Sequence, residues 1–165
     1  MTLSSHHSGM SEVWIRPAEH GEVERLREIA IAAKSYWGYD PDRVREWAAL
    51  GDFSPAGLLE KHVYVAAVRD APVGWAAAIS RTDVWWLDDL WILPDWMGKG
   101  IGRRLFSHTA EQGRAAGAHR MEWEAEPNAL GFYERMGSHY LRDSEPSVWG
   151  RVNAIMGIDL SSRDA

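Results

Sequence analysis

The sequence contains no cysteine, which excludes a disulfide, a thiolate metal site and a cysteine nucleophile. That absence fits a reducing compartment. No apolar run approaches the roughly 20 residues that cross a bilayer. Residues 1–11 lack the apolar centre of a signal peptide, and we expect a disordered leader or a cloning remnant there. The composition therefore predicts a cytoplasmic protein without a membrane partner.

Clustered positive charge and metal-ligand spacing are missing as well. Acidic residues outnumber basic residues by 24 to 18, which gives a formal net charge of -6. Nucleic-acid surfaces need a basic patch, so we expect no nucleic-acid partner, and the balance favours a cationic small substrate. The seven histidines show no metal-ligand spacing, so we predict no metal site.

The length and the apolar pattern predict a single domain of the α/β (α+β) class. A chain of 165 residues with 45% hydrophobic residues has room for one substantial core. Strand and helix periods follow one another in the order β-α-α-β-β-β-α-β-α-β-β. We expect residues 12–161 to form a mixed sheet of about six to seven strands flanked by four helices.

Capping residues and breakers predict where the helices begin. Pro17 is expected to open the first helix, and Asp40 to cap the second. A longer helix is predicted from Gly100 to about Ala116, with one apolar face. Asn128 is expected to cap the last, short helix.

Breaker residues also predict the connections between elements. The segment GDFSPAG, residues 51–57, is predicted to be a loop, and residues 70–72 are predicted to join two strands as a hairpin. Residues 84–93 carry apolar side chains at both parities, which is typical of a strand covered on both faces. Two closing strands are expected around a polar loop near Gly150.

Three glycines alternate in the stretch WMGKGIGRRL, residues 96–105, directly before a predicted helix. Gly98, Gly100 and Gly102 would let backbone N–H groups reach an anion at the positive end of that helix. The stretch matches neither the nucleotide P-loop pattern nor the dinucleotide fingerprint. The glycines alone therefore predict either a phosphate site or a tight packing turn without a ligand.

The residues around the glycines resemble the acyl-CoA-binding motif of the GNAT superfamily of N-acetyltransferases. In LWILPDWMGKGIGRRLF the matching positions are Leu90, Ile92, Pro94, Gly98, Gly100, Ile101, Gly102 and Leu105. The family usually has Gln or Arg at the position of Met97. We therefore expect main-chain amides, more than side chains, to bind the phosphates.

A second resemblance to the same family lies in EAEPNALGFYERMGSHYL. Asn128, Phe132, Tyr133 and Gly137 carry this resemblance, and Ser138 replaces the Phe often found after the glycine. Two motifs in order, separated by one strand, are a specific signal. The resemblance extends over residues 13–160 and implies a transferase that uses acetyl-CoA as its co-substrate.

The resemblance also implies how acetyl-CoA is held. The strand of residues 86–93 would splay from the strand of residues 121–125, with the pantetheine arm in the gap. Asn128 would bond that arm, and the N–H of Ile92 would meet the thioester oxygen. The expected cofactor-binding residues are Leu90, Trp91, Ile92, Met97, Gly98, Lys99, Gly100, Ile101, Gly102, Arg103, Asn128 and Tyr133.

Candidates for acid and base catalysis follow from the chemistry of acyl transfer. Tyr133 is the first choice for the acid, because a phenol stays protonated at neutral pH; the competing interpretation is a core aromatic. The base is sought among Asp88, Asp89 and Glu124, or in water, whereas an ion pair or a solvated strand end would explain each acid equally well. Consecutive strand residues point to opposite faces, so we expect at most one aspartate to face the reaction, and parity with Leu90 favours Asp88.

An aromatic segment, KSYWGYDP, lies between the first two predicted helices. The family places this region over the acceptor pocket, so Tyr36, Trp37 and Tyr39 are the candidate substrate-binding residues. Aromatic faces near carboxylates suit a cationic amine, and the alternative is that the rings close the core.

These observations predict an N-acetyltransferase that moves the acetyl group of acetyl-CoA to a primary amine of a small molecule or peptide. The amine would attack directly and form a tetrahedral intermediate. Transfer of a different acyl group is one alternative. A non-catalytic CoA-binding or sensor protein of the same fold is another, and Met97 is the feature that admits it. Dimers are common in the family, so a homodimer is allowed.

Overall fold

A computed structural model describes residues 12–50 and 53–161, and the predicted leader at residues 1–11 lies outside them. Its strands are β1 Val13–Pro17, β2 His62–Val68, β3 Ala71–Arg81, β4 Val84–Ile92, β5 Arg120–Glu124, β6 His139–Asp143 and β7 Ala154–Asp159. They form one sheet in the order β1-β2-β3-β4-β5-β7-β6. All neighbours are antiparallel except β4 and β5, which are parallel, so the predicted mixed sheet is confirmed.

Five α-helices flank the sheet in the part of the chain that the structure describes. They are α1 Val23–Tyr36, α2 Pro41–Leu50, α3 Pro55–Leu59, α4 Ile101–Ala115 and α5 Leu130–Arg135. The predicted number of four helices is wrong, because α3 begins at Pro55, inside the stretch predicted to be a loop. Ser54 Oγ accepts the N–H of Gly57 at 3.0 Å, so Ser54 and Pro55 start a helix instead of interrupting one. None of these described helices is long and apolar enough to cross a membrane.

β3 divides the core into two layers, because its residues alternate between the faces of the sheet. Ala76 belongs to the layer beneath α4, together with Leu105. Trp75 and Ala77 belong to the layer beneath α1 and α2. The indole N–H of Trp75 donates to the carbonyl of Leu26 at 2.7 Å, which ties α1 to the sheet without leaving a buried donor unpaired.

α1 begins later than predicted. Pro17 ends β1, and a 3-10 turn at His20–Glu22 precedes the helix. The carboxylate of Glu22 accepts the N–H of Glu19 at 2.8 Å and pairs with the guanidinium of Arg16 at 2.7 Å. That carboxylate organises the turn, and the predicted helix opening at Pro17 is wrong.

The hairpin between β2 and β3 is confirmed, but its turn lies at residues 69–70 and not at the predicted residues 70–72. Arg69 and Asp70 have positive φ angles of 49° and 66°. A two-residue turn with two positive φ angles matches the right-handed twist of the strands that it joins. Ala71 and Pro72 therefore already belong to β3.

The two predicted helix caps have different outcomes. Asp40 caps α2 as predicted, since its Oδ1 accepts the N–H of Asp42 at 2.9 Å. The predicted cap at Asn128 is wrong, because Asn128 lies inside a 3-10 turn, Pro127–Ala129, that precedes α5. Its side-chain amide donates to Glu126 at 2.9 Å instead of accepting from the helix.

α4 presents the predicted apolar face to the sheet. Ile101, Leu105, Thr109 and Gly113 are all buried. The hydroxyl of Thr109 donates to the carbonyl of Leu105 at 2.7 Å, which satisfies it within the helix. A Cβ on Gly113 would stand 2.6 Å from Cγ of Trp85, so the helix approaches β4 this closely only because residue 113 is glycine.

Replacing Gly113 with alanine is expected to lower the free energy of unfolding by about 1–3 kcal/mol, the usual cost of overpacking a core. The Trp85 ring is 2% exposed and packed on all sides, so it cannot move aside cheaply. Denaturant unfolding measures the change. Gly102→Ala in the same helix is the matched control, since its Cβ would lie 3.5 Å from Phe132, an ordinary contact. Equal stability of the Gly113 variant and the parent would contradict this close packing.

Candidate active site

β4 and β5 separate near the middle of the sheet. They pair only where Val84–Trp86 meets residues 120–122. Beyond these pairs a cleft of about 640 Å³ opens between the two strands, walled on one side by β4 and on the other by residues 123–136. The predicted splay is confirmed.

Most of the predicted site residues meet in this cleft. Those that line it are Trp37, Asp88, Asp89, Leu90, Trp91, Ile92, Met97, Gly98, Gly100, Gly102, Arg103, Glu124, Asn128 and Tyr133. Four others are not part of its lining: Tyr36, Tyr39, Lys99 and Ile101. The side chain of Ile101 is buried in the core, so only its backbone is placed to meet a ligand.

β4 contains a bulge at Asp88. Ala77 of β3 stands opposite Asp89, whereas Ala78 stands opposite Leu87, which leaves Asp88 as the extra residue. A bulge interrupts the alternation of side chains along a strand. Both aspartates belong to the lining of the cleft, and that at most one of them faces the reaction stays a prediction.

The two aspartates share one cation, Lys61. Its Nζ lies 2.8 Å from Oδ2 of Asp88 and 3.5 Å from Oδ2 of Asp89. Burial lowers the pKa of Lys61, but the two carboxylates outweigh that effect and raise it, so the lysine stays charged.

Asp89 is the more perturbed of the pair. Its side chain is 8% exposed, and the indole N–H of Trp91 donates to its Oδ1 at 3.1 Å. Burial raises the pKa of Asp89 to about 6, and the charge of Asp88 adds to that rise against the opposing effect of Lys61 and Trp91. A carboxylate with a pKa in that range can exchange a proton near neutral pH.

The turn before α4 contains two glycines in the left-handed conformation. Gly98 and Gly100 have φ angles of 73° and 81°, which residues other than glycine rarely adopt. Gly100 is the N-cap of α4, and no side chain caps the helix there. The first amides of α4 are therefore available to an anion, which the positive end of the helix also attracts.

Positive side chains at this turn are few. Arg103 lines the cleft, whereas the ammonium of Lys99 lies 5.2 Å from the ring centre of Trp96. Met97 lines the cleft but adds no charge. Main-chain amides are consequently the most numerous anion ligands that this turn offers.

The main chain of β4 also faces the cleft. The N–H of Leu93 donates to the carbonyl of Val73 at 2.9 Å, and antiparallel pairing alternates from one residue to the next. The N–H and C=O groups of Leu90 and Ile92 therefore point away from β3 and towards β5, where the strands have separated. They form a row of donors and acceptors along one wall.

Tyr133 on α5 belongs to the opposite wall. Its ring packs 5.0 Å from Trp123 and 5.2 Å from Phe132, measured between ring centres, so it is both a core aromatic and a cleft residue. Burial raises the pKa of the Tyr133 phenol, and the charge of Glu126 raises it further. The phenol therefore stays protonated at physiological pH and can act only as a proton donor or hydrogen-bonding group.

The segment from Tyr36 to Asp40, here called the acceptor loop, joins α1 to α2. Trp37 is the one predicted ring of this loop that lines the cleft. Tyr36 is 59% exposed and packs edge-on against Trp37. Tyr39 is not part of the lining, and its hydroxyl donates to Oε1 of Glu126 at 2.5 Å.

Glu126 is a cleft residue that sequence reasoning did not select. Its Oε1 accepts from Tyr39 and, at 2.9 Å, from Asn128, while its Oε2 lies 3.3 Å from Nζ of Lys34. Arg151 approaches Oε1 to 3.9 Å. The only signal in the sequence is the place of Glu126 on the alternating polar face after β5, because Tyr39 and Lys34 are 87 and 92 residues away along the chain.

Glu124, the third candidate base, is exposed at the end of β5 and accepts from Nδ2 of Asn153 at 2.8 Å. Within residues 12–50 and 53–161, no group of three or more His, Asp or Glu residues is arranged to hold a metal ion.

Comparison with known proteins identifies relatives of this chain. The model of the Acetyltransferase (GNAT) family matches residues 23–138. The peptidyl-lysine N-acetyltransferase YjaB of Salmonella typhimurium is 29% identical over 151 residues, which cover 87% of this chain and 95% of that protein.

Solved structures with the same fold include two with coenzyme A ligands. PaiA N-acetyltransferase from Thermoplasma acidophilum, solved with coenzyme A, is 18% identical with a TM-score of 0.77, over 89% of this chain and 98% of that one. The yncA protein of Salmonella typhimurium, solved with acetyl-CoA, is 21% identical with a TM-score of 0.66, over 93% and 96%. The strand order, the cleft and a family model that spans most of the sequence together place this chain in the GNAT family of acetyltransferases, to which it belongs.

Proposed function

We propose that this protein transfers the acetyl group of acetyl-CoA to a primary amine of a small molecule or peptide. The observation that carries the proposal is the cleft, in which the glycine turn, Tyr133 and Asp89 line one space. Acyl transfer to an amine needs an anchored thioester, a proton donor and a group that takes the proton of the amine. The cleft offers a candidate for each.

Acetyl-CoA is proposed to bind along β4. Its phosphates would lie at residues 98–103, where main-chain amides and the end of α4 attract anions and Arg103 adds a charge. The pantetheine arm would follow the backbone groups of Leu90 and Ile92 into the gap. That placement brings the thioester between Tyr133 and the aspartates of the bulge.

The reaction then proceeds by direct attack. The amine nitrogen forms a bond to the thioester carbon, and the N–H of Ile92 stabilises the negative charge that develops on the oxygen. The tetrahedral intermediate collapses as the carbon–sulfur bond breaks. The departing thiolate takes a proton from the hydroxyl of Tyr133, and the nitrogen gives up its second proton as the amide forms, which returns a proton to Tyr133 directly or through water.

Asp89 is the proposed base that receives the proton of the incoming ammonium, directly or through water. Its pKa of about 6 lets it be ionised at neutral pH while remaining a competent acceptor. Asp88 is more exposed and is the closer partner of Lys61, and Glu124 is bonded to Asn153. Asp88 and Glu124 are better placed to attract the ammonium group of the acceptor than to take its proton.

The acceptor is proposed to enter beside Trp37, where an aromatic face and the carboxylates of Asp88 and Asp89 suit an ammonium group. A lysine side chain of a peptide is included, because the relative YjaB is named a peptidyl-lysine N-acetyltransferase. A cytoplasmic location, a homodimer and a domain spanning residues 12–161 stay predictions from the sequence.

Replacing Gly98 with alanine is expected to weaken the binding of CoA about tenfold or more, because the side chain opposes the left-handed turn that presents the amides. Isothermal calorimetry with CoA measures this effect. Gly117→Ala is the matched control, since Gly117 has a φ of 86° and open space around it at the other end of α4. Equal loss of affinity in both variants would assign the effect to instability and not to the turn.

Replacing Tyr133 with phenylalanine is expected to lower kcat by about 10²–10⁴-fold, the usual contribution of a general acid. The assay is acetyl transfer from acetyl-CoA to a panel of a lysine peptide, spermidine, an aminoglycoside and a free amino acid. Tyr140→Phe is the control, because Tyr140 is exposed on β6 and its hydroxyl donates to nearby Asp143 at 3.0 Å. CoA binding without transfer by the wild-type protein to any amine would favour the non-catalytic alternative.

The pH dependence of kcat/KM is expected to show a limb near pH 6, with the rate rising as Asp89 loses its proton. Asp89→Asn should remove that limb. Asp88→Asn should keep the limb but move it to lower pH, because loss of the neighbouring charge lowers the pKa of Asp89. A limb that survives unchanged in Asp89→Asn would assign the base to another group.

A further inference from the structure

Glu126 joins parts of the chain that face each other across the cleft. Tyr39 belongs to the acceptor loop and Lys34 to the last turn of α1, whereas Glu126 and Asn128 follow β5. Among the described residues, the hydrogen bonds and ion pairs that connect residues 34–40 with residues 124–128 all involve Glu126 or Asn128. Asn128 is itself held by Glu126 at 2.9 Å. One carboxylate thus organises the whole connection.

The carboxylate of Glu126 is held in its ionised form by its partners, so it is poorly suited to proton transfer. Burial opposes ionisation, but the bonds from Tyr39, Lys34 and Asn128 outweigh it and lower the pKa of Glu126. Its side chain is 18% exposed, so loss of these donors would leave a carboxylate largely removed from water. A group in this state holds other groups in place and makes a poor base.

Lys34, at the end of α1, is the cation that pairs with Glu126. Its ammonium lies 4.8 Å from the ring centre of Trp47, 5.0 Å from Tyr39 and 5.9 Å from Trp91, with 13% of the side chain exposed. Three rings and one carboxylate therefore enclose a single ammonium. Because Lys34 fills this enclosure, the ammonium of an acceptor is left to the carboxylates of the bulge in β4.

The backbone of the acceptor loop needs such an anchor. Gly38, with a φ of 83°, stands next to Trp37, the ring of the loop that lines the cleft. Glycine gives the chain freedom at that point, so the position of Trp37 depends on what holds its neighbours. The hydroxyl of Tyr39, two residues along the chain, is held at 2.5 Å by Glu126.

We propose that Glu126 is a positioning residue for acceptor recognition, which anchors the acceptor loop to the far wall of the cleft and so fixes Trp37 against the incoming amine. The inference rests on the proposed function. It assigns Glu126 and Tyr39 to the binding of the acceptor, and not to the chemical step or to acetyl-CoA.

The test compares Tyr39→Phe with Glu126→Ala, using an N-terminally blocked lysine peptide and acetyl-CoA. Each variant is expected to raise the KM for the peptide about tenfold, the effect of losing a hydrogen bond to a charged group. The kcat of Tyr39→Phe should change less than about twofold, because that variant keeps the charge of Glu126 that acts on Tyr133. The double variant should be no worse than Glu126→Ala alone, since both changes remove one anchor. Calorimetry of Tyr39→Phe should give an unchanged Kd for CoA, because that variant leaves the bond from Asn128 to Glu126 in place.

Glu22→Ala is the control for loss of a half-buried carboxylate. Glu22 is 13% exposed and is paired with Arg16 at the opposite end of α1, so its removal should lower stability without changing the KM for the peptide. Thermal unfolding of all variants checks that each one is folded under the assay conditions.

Hydrogen exchange provides a readout that does not depend on turnover. Amides of residues 36–40 should exchange faster in Glu126→Ala than in the wild-type protein, and at the wild-type rate in Glu22→Ala. If the wild-type protein transfers no acetyl group, the proposed function fails, and unchanged exchange in Glu126→Ala would overturn the anchoring as well. With an active wild-type protein, an unchanged KM for the peptide overturns the proposal, as does a weaker Kd for CoA in Tyr39→Phe.

Discussion

The separation of β4 from β5 is the constraint on which the rest of the site depends. The strands pair only at Val84–Trp86, and beyond that point neither strand can complete its hydrogen bonds with the other. Buried backbone groups need partners, so the gap must receive water or a ligand that carries its own donors and acceptors. The pantetheine arm of the proposed co-substrate carries amide groups that would supply such donors and acceptors. Asp88 and Asp89 border the same gap, and the glycine turn with its proposed anion site lies at the edge.

Asp89 and Glu126 both line the cleft and both carry a carboxyl group, yet their pKa values are shifted in opposite directions by their surroundings. Asp89 is buried beside another aspartate, so its ionised form is disfavoured. Glu126 is half-buried among donors, so its ionised form is favoured. Environment, and not residue type, therefore separates a group suited to move a proton from a group suited to hold a loop.

Local spacing in the sequence predicted most of the fold, because alternation, helical periods and the glycine motif depend on neighbours in the chain. The bulge could not be predicted, since one extra residue at Asp88 is defined only by its register with β3. Lys34 and Glu126 are 92 residues apart, and only the tertiary packing of α1 against the sheet brings them together. α3 was missed because Ser54 and Pro55 belong to a composition that loops and helix starts share.

The anion site proposed at the start of α4 consists of main-chain amides, which every residue except proline carries. The proposed anion site therefore depends on the backbone conformation at Gly98 and Gly100. A substitution at Met97 would remove none of its main-chain ligands. On the proposed acceptor side of the cleft, the contacts of Glu126 with Tyr39, Asn128 and Lys34 are made by side chains, and one substitution can remove any of them. A single substitution on the proposed acceptor side can therefore remove a contact, whereas the proposed anion site changes only when the conformation of the turn changes.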